Sequence, residues 1–150
     1  IPLNSKPGHA PELSNGFGYV SLSHCKDAIL IGWCKKKIGV DIESRDRKIK
    51  NNLKKLFSLT KGIIEDSHFE NENDLFLAIW TAKESAIKWE RSSIFSDLKN
   101  WNVENEFNII RNKKTNISLE LKNFLFKKWI ISTVVKKNKQ KVEVKVHIIE

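Results

Sequence analysis

The stretch GVDIE, residues 39–43, alternates apolar and acidic side chains after a glycine. Alternation with a period of two predicts a β-strand, because successive side chains of a strand point to opposite faces. We expect Val40 and Ile42 on one face, and Asp41 and Glu43 on the other. Two carboxylates on one face repel each other, and an oxygen-coordinated divalent cation such as Mg²⁺ removes that repulsion. The plain alternative is a solvent-facing strand with ordinary surface charges.

A second charged stretch, WTAKESAIK at residues 80–88, lies within a predicted helix. Positions i and i+4 of a helix share a face, so Trp80, Glu84 and Lys88 form one line. A surface salt bridge between Glu84 and Lys88 is the plain alternative. In the functional interpretation, Glu84 is a third metal ligand or a general base, and Lys88 is a cation beside a phosphate. A reaction that expels a phosphate needs such groups.

The flanking patterns predict an α+β fold with a mostly antiparallel sheet and helices packed on one side. Helical spacing predicts a short helix over 48–58 and a longer one that Asp74 can cap. Strands 19–24 and 28–34, joined by a tight turn, are expected to form a three-stranded antiparallel meander with the GVDIE strand. Further strands are predicted in WNVENEFNII (101–110), NISLEL (116–121), KWIISTVV (128–135) and VEVKVHII (142–149).

Size and charge limit the class of protein. The chain has 150 residues, the size of one domain with its own core, and a net charge of +9, which favours polyanionic partners. Five tryptophans and the basic turns 35–37 and 136–141 leave a nucleic-acid-binding module open as an alternative. That alternative leaves Asp41, Glu43 and Glu84 unexplained, because acids in a groove repel phosphate.

The sequence gives no indication of a membrane or of disulfide chemistry. It contains no run of about 18 apolar residues, so we expect no membrane segment. Its two cysteines, Cys25 and Cys34, are too few for a disulfide framework and are typical of a reducing cytoplasm. Its richness in lysine, asparagine and isoleucine suggests an AT-rich bacterial genome.

Four elements occur in the order of a known family: SKP at 5–7, SH at 23–24, GVDIE at 39–43 and WTAKESAIK at 80–88. The sequence thereby resembles the 4′-phosphopantetheinyl transferase superfamily, specifically its Sfp type with an Asp-x-Glu pair. The resemblance covers roughly residues 4–92. Members of this family transfer the 4′-phosphopantetheine arm of coenzyme A to a serine of an acyl or peptidyl carrier protein, and release 3′,5′-ADP.

The resemblance implies a role for each acid and for the helix lysine. Asp41, Glu43 and Glu84 would hold Mg²⁺ on the pyrophosphate of coenzyme A. Glu84 would also deprotonate the carrier serine, directly or through a water. Lys88 would neutralise the leaving phosphate.

Coenzyme A binding is also implied for three residues upstream of the GVDIE strand. Ser23 and His24 would contact phosphates of coenzyme A, Lys6 would do so from the N-terminal segment, and Lys88 would join them from the helix. The resemblance implies coenzyme A and a carrier protein as partners, with neither nucleic acid nor membrane. Ser5 replaces a glycine that is usual before the Lys-Pro pair.

Sfp-type enzymes contain two similar halves in one chain. The resemblance therefore implies that residues 1–37 are the end of an N-terminal half, and that residues 38–150 form the C-terminal half with the metal site. Most of the N-terminal half would be missing. Two alternatives stay open, a catalytically inactive fragment of this fold and a symmetric dimer of half-enzymes. Many members carry an acid shortly after a Phe-Ser pair, whereas the nearest acid after Phe57-Ser58 is Glu65.

Overall fold

The computed structural model describes residues 3–4, 11–14, 16–50, 69–92, 97–104 and 106–137. One α-helix, α1, spans Glu72–Glu90 of these ranges, and a short 3₁₀ turn spans Leu98–Asn100. The strands are β1 (Leu3–Asn4), β2 (Glu12–Leu13), β3 (Tyr19–Cys25), β4 (Ala28–Cys34), β5 (Ile38–Ser44), β6 (Trp101–Glu104), β7 (Ile109–Asn112), β8 (Ser118–Phe126) and β9 (Trp129–Lys136).

The largest sheet has five antiparallel strands in the order β5-β9-β8-β7-β6. Strands β3 and β4 form a separate antiparallel hairpin, and β1 and β2 form a short ribbon. The predicted α+β class with antiparallel sheet is confirmed. The predicted three-stranded meander is wrong, because β5 pairs with β9, from Ile38 opposite Val135 to Ser44 opposite Trp129.

Helix α1 is buried on nearly every side, as 14 of its 19 residues are buried. Its cap is Asn71, whose side chain accepts a hydrogen bond from the backbone N–H of Asp74 at 2.9 Å. The predicted cap, Asp74, instead lies in the first turn and accepts a hydrogen bond from Arg45. The helix ends at Arg91, which has the left-handed φ of 63°. Apolar residues at helical spacing form one buried stripe: Leu75, Ile79, Ala82 and Ala86.

The main hydrophobic core lies between α1 and one face of the five-stranded sheet. Every second residue of the central strands points to that face, so each strand adds one or two apolar side chains. These side chains pack with the helix in one cluster that includes Trp101, Ile110, Leu119, Leu121, Ile130 and Val134.

Gly39 lets β5 approach the backbone of α1. A Cβ atom at this position would lie 1.9 Å from the carbonyl oxygen of Ser85 and 2.8 Å from the backbone nitrogen of Trp89. Both distances are far below van der Waals contact, so any side chain would push the strand and the helix apart. The glycine of GVDIE therefore sets the distance between the strand and the helix.

Strand β3 lies along the outer edge of β5 and contacts it through serine hydroxyls. Ser21 Oγ accepts a hydrogen bond from the N–H of Val40 at 3.1 Å, and Ser23 Oγ accepts one from the N–H of Ile42 at 3.3 Å. These hydroxyls satisfy N–H groups that would otherwise be unpaired at a sheet edge. Gly32 of β4 faces the side chain of Val40, so the hairpin packs closely here.

Other predictions divide into three groups. The strands predicted at 19–24 and 28–34 are confirmed. The single strand predicted over 101–110 is wrong, because β6 and β7 form a hairpin with a turn at 106–108. Residues 48–50 have no regular structure, and the rest of the predicted helix 48–58 and the strand 142–149 lie outside the described residues. In the described ranges, no helix combines the length and apolarity needed to cross a membrane.

Candidate active site

Asp41 is the centre of the candidate site. It is only 2% exposed, although it is a charged residue. Its Oδ1 atom accepts two hydrogen bonds, from Ser23 Oγ at 2.6 Å and from Lys88 Nζ at 2.6 Å. Its Oδ2 atom is also buried and accepts no hydrogen bond from the described residues. The carboxylate therefore has one satisfied oxygen and one oxygen that lacks a donor.

Glu84 lies one helical turn before Lys88 and is electrostatically linked to Asp41. The pKa of Glu84 is raised to about 7, chiefly by burial and also by the charge of Asp41, while the cations Lys88 and Arg47 oppose the shift. Burial also raises the pKa of Asp41, against the opposing effects of Lys88 and Ser23. The buried carboxylate of Asp41 and the partly buried one of Glu84 thus disfavour each other's charge, and Glu84 can take up or release a proton near neutral pH.

Glu43 shares the strand face of Asp41 and is paired with a cation that the sequence did not single out. Its carboxylate forms an ion pair with Arg47. The Arg47 guanidinium also lies 5.0 Å from the ring centroid of Trp80. In the sequence, Arg47 is distinguished only as a positive charge four residues after Glu43. That spacing predicts an ion pair within a helix and indicates little elsewhere.

The acids fit a divalent cation, although they do not form a closed coordination set. Within the described ranges, no three Asp, Glu, His or Cys side chains are arranged as a metal site. Asp41 and Glu43 each bind a side-chain cation instead, Lys88 and Arg47. Asp41 Oδ2 is buried and has no donor among the described residues, and such an oxygen is costly unless a cation satisfies it. Carboxylate oxygens are the ligands that Mg²⁺ prefers.

The three residues predicted to bind coenzyme A are placed differently. Ser23 is buried, and its hydroxyl is used within the protein, between Asp41 and the backbone of Ile42. His24 is exposed, and as the next residue of β3 its side chain points to the opposite face of the hairpin. Lys6 lies outside the described residues. Their contacts with coenzyme A therefore stay predictions.

A row of buried polar groups extends from Asp41 across the sheet. Ser132 of β9 is paired in register with both Asp41 and Asn123. Its hydroxyl lies 2.7 Å from Thr81 Oγ1 of α1 and accepts a hydrogen bond from Asn123 Nδ2 at 2.7 Å. These bonds fix one turn of the helix on the sheet beside Glu84.

Lys83, the other lysine of the WTAKESAIK stretch, has a structural role. Its side chain is buried, and its Nζ atom donates a hydrogen bond to the carbonyl oxygen of Leu98 at 3.2 Å. Burial lowers its pKa to about 8. Lys83 thus links α1 to the 3₁₀ turn, whereas Lys88 points to the carboxylates.

A family model described as the 4′-phosphopantetheinyl transferase superfamily matches residues 37–144, more than half of the chain. The matched region contains Asp41, Glu43, Glu84 and Lys88, and it starts one residue before β5. No curated protein matches the sequence.

Proposed function

This chain belongs to the 4′-phosphopantetheinyl transferase superfamily, and on that premise we propose that it transfers the 4′-phosphopantetheine arm of coenzyme A to a serine of an acyl or peptidyl carrier protein. The observation that carries the proposal is the cluster of Asp41 from β5 with Glu84 and Lys88 from α1, all inside the matched region. The cluster supplies a proton acceptor and a cation, which this reaction requires.

In the proposed reaction, the serine Oγ of the carrier protein forms a bond to the phosphorus that bears the pantetheine arm. The bond from that phosphorus to the bridging oxygen breaks, and 3′,5′-ADP leaves. Glu84 accepts the serine proton, directly or through a water. Its pKa is about 7 in the protein without metal, and Mg²⁺ on the same carboxylate would lower that value and keep Glu84 ionised, as a proton acceptor must be.

Lys88 supplies positive charge at the leaving phosphate, from a side chain that is about one-quarter exposed and therefore reaches the surface of the site. Asp41, Glu43 and Glu84 would hold Mg²⁺. When bound, that ion neutralises charge on the pyrophosphate oxygens and so stabilises the transition state. Lys88 must leave Asp41 to reach a substrate phosphate, and a cation at Asp41 would favour that movement.

Finer assignments belong to the same proposal. The Asp-x-Glu pair in GVDIE favours the Sfp-type branch, with residues 1–37 and 38–150 as parts of two similar halves. Ser23, His24 and Lys6 are the proposed contacts to coenzyme A from the first part. We place the reaction in the cytoplasm, consistent with the free thiols of Cys25 and Cys34.

The decisive experiment incubates the protein with coenzyme A, Mg²⁺ and an apo carrier protein, and measures the carrier's mass. We expect the carrier to gain one phosphopantetheine arm, and EDTA to prevent this. Asp41→Ala and Glu84→Ala should abolish the gain while the protein stays folded by circular dichroism. A folded protein that neither binds coenzyme A in calorimetry nor modifies any apo carrier would overturn the proposal.

A further inference from the structure

Arg47 lies where it can influence all three acids of the candidate site. It forms the ion pair with Glu43 and lies 5.0 Å from the Trp80 ring. Its positive charge also acts on Asp41 and Glu84, since it opposes the rise of both their pKa values. One guanidinium therefore contacts Glu43 directly and acts on Asp41 and Glu84 through its charge.

The backbone of Arg47 is fixed, whereas its side chain is open to solvent. Asn73 Nδ2 donates hydrogen bonds to the carbonyl oxygens of Arg45 (3.3 Å) and Arg47 (3.1 Å), which fasten this segment to the first turn of α1. Arg45 itself binds Asp74 of the same turn. The Arg47 side chain is 41% exposed. It can therefore change partner without moving the backbone that carries it.

The carboxylate of Glu43 cannot serve Arg47 and a divalent cation equally well, because the two positive charges repel each other. A guanidinium that leaves a carboxylate finds an equivalent partner in a phosphate, which accepts the same paired N–H donors. Arg47 would therefore compete with a metal for Glu43. Once a metal had bound there, its guanidinium could donate hydrogen bonds to an anion.

We propose that Arg47 is a phosphate-binding residue of this site, held on Glu43 at rest and released to a substrate pyrophosphate when a divalent cation takes that carboxylate. This inference rests on the proposed function, which provides the pyrophosphate. It assigns opposite effects to one side chain: Arg47 weakens the binding of a bare divalent cation and strengthens the binding of the phosphate group.

The test uses the full chain as wild type, Arg47→Gln and a matched control, Arg111→Gln. Arg111 is also 41% exposed and also pairs with an acid, Glu104, in the β6–β7 hairpin. Two titrations are made by calorimetry, one with Mn²⁺ alone and one with inorganic pyrophosphate at saturating Mg²⁺. For Arg47→Gln we expect Mn²⁺ to bind about three- to tenfold tighter and pyrophosphate about tenfold weaker. Arg111→Gln should match the wild type in both titrations.

Unchanged or weaker Mn²⁺ binding in Arg47→Gln, or unchanged pyrophosphate binding, would overturn the inference and leave Arg47 as a structural ion pair. A parallel titration with coenzyme A separates this failure from that of the proposed function. If wild type and Arg47→Gln bind coenzyme A equally, the inference fails while the function stands. If wild type binds magnesium pyrophosphate but not coenzyme A, and Arg47→Gln binds pyrophosphate more weakly, the function fails while Arg47 keeps its role as a phosphate-binding residue. If wild type binds neither, both are overturned.

Discussion

Lys88 Nζ lies 2.6 Å from Asp41 Oδ1, although the two residues are 47 positions apart in the sequence. The helix and the strand that carry them meet at Gly39, where only a glycine fits. The ammonium group thus neutralises a carboxylate that is 2% exposed and would be costly to bury alone. In the protein without metal, Lys88 balances the negative charge of Asp41, as a divalent cation bound to this carboxylate would do.

Replacement of Lys88 should make the stability of the protein depend on metal. Lys88→Met leaves the buried Asp41 without its cation, and we expect a loss of about 2–4 kcal/mol in the free energy of unfolding in EDTA. Mg²⁺ should restore most of that loss, because it binds the same carboxylate in the folded state only. Thermal unfolding with and without Mg²⁺ measures both effects.

The double variant Asp41→Asn/Lys88→Met is the control for this prediction. It removes both charges, so its stability should exceed that of Lys88→Met in EDTA and should not respond to Mg²⁺. If Lys88→Met and the double variant gain equally from Mg²⁺, the ion acts elsewhere and Asp41 is not a ligand.

Ser23 and Ser21 offer a matched test of how Asp41 is oriented. Both hydroxyls accept a hydrogen bond from the backbone of β5, but only Ser23 also donates to Asp41. We expect Ser23→Ala to weaken Mg²⁺ binding about tenfold or more, since partners of a metal ligand typically contribute that much. Ser21→Ala should cost less stability than Ser23→Ala, since it removes one hydrogen bond fewer, and should leave the metal affinity unchanged. Equal affinities for the two variants in calorimetry would show that Ser23 does not orient Asp41.

The strand and helix that carry the acids could be predicted because their patterns are local. GVDIE alternates with a period of two, and α1 runs without glycine or proline. The cap of α1 was harder to predict, since Asn71 and Asp74 are both good capping residues. The choice depends on Arg45, which binds Asp74 from a distant segment. No local pattern in the sequence indicates that contact.

Pairings between distant strands could not be predicted from the sequence for the same reason. The partner of β5 is β9, which follows it by about 85 residues. The simplest prediction pairs strands that follow each other in the sequence, and here it is wrong. The turn between β6 and β7 contains Glu106 and Phe107 at positive φ of 50° and 65°. Non-glycine residues seldom adopt that conformation, so turn rules would not place a break in WNVENEFNII.

Glu84 should make the protein less stable as pH rises. Its pKa is about 7 in the folded protein against an ordinary value of 4.5. A raised pKa means that the folded state holds the proton more tightly, so this contribution is fully present below pH 4.5 and is lost as pH rises through 7. Its size is at most about 3 kcal/mol.

Unfolding experiments in EDTA at pH 5 and pH 8 test this. The wild type should lose stability over that interval, and Glu84→Gln should lose clearly less, because the amide does not titrate. Mg²⁺ should reverse the trend for the wild type, since metal ligands bind as carboxylates and metal affinity rises with pH. Parallel curves for wild type and Glu84→Gln would refute the proposed burial of this carboxyl group.

Gly39→Ala should damage the fold and the site together. The added Cβ would lie 1.9 Å from the Ser85 carbonyl oxygen, which is backbone and cannot rotate away. We expect a loss of about 3 kcal/mol or more in the free energy of unfolding, from overpacking that forces β5 away from α1. A loss of 3 kcal/mol lowers the melting temperature by roughly 6–12 °C in a protein of this size. Because the displacement separates Asp41 from Lys88, Mg²⁺ binding should weaken in the fraction that stays folded.

The control for Gly39→Ala is Gly16→Ala, where no heavy atom of the described residues, chain neighbours aside, lies within 4 Å of the added Cβ. The strain expected there comes from a φ of +88°. That strain alone costs about 1–2 kcal/mol, so Gly16→Ala should melt a few degrees below the wild type and bind Mg²⁺ normally. Melting curves and Mn²⁺ titrations of both variants separate steric contact from backbone strain. If Gly39→Ala has wild-type stability and metal affinity, the strand and the helix do not approach as closely as described at Gly39. The contact between Asp41 and Lys88 then does not depend on a glycine at this position.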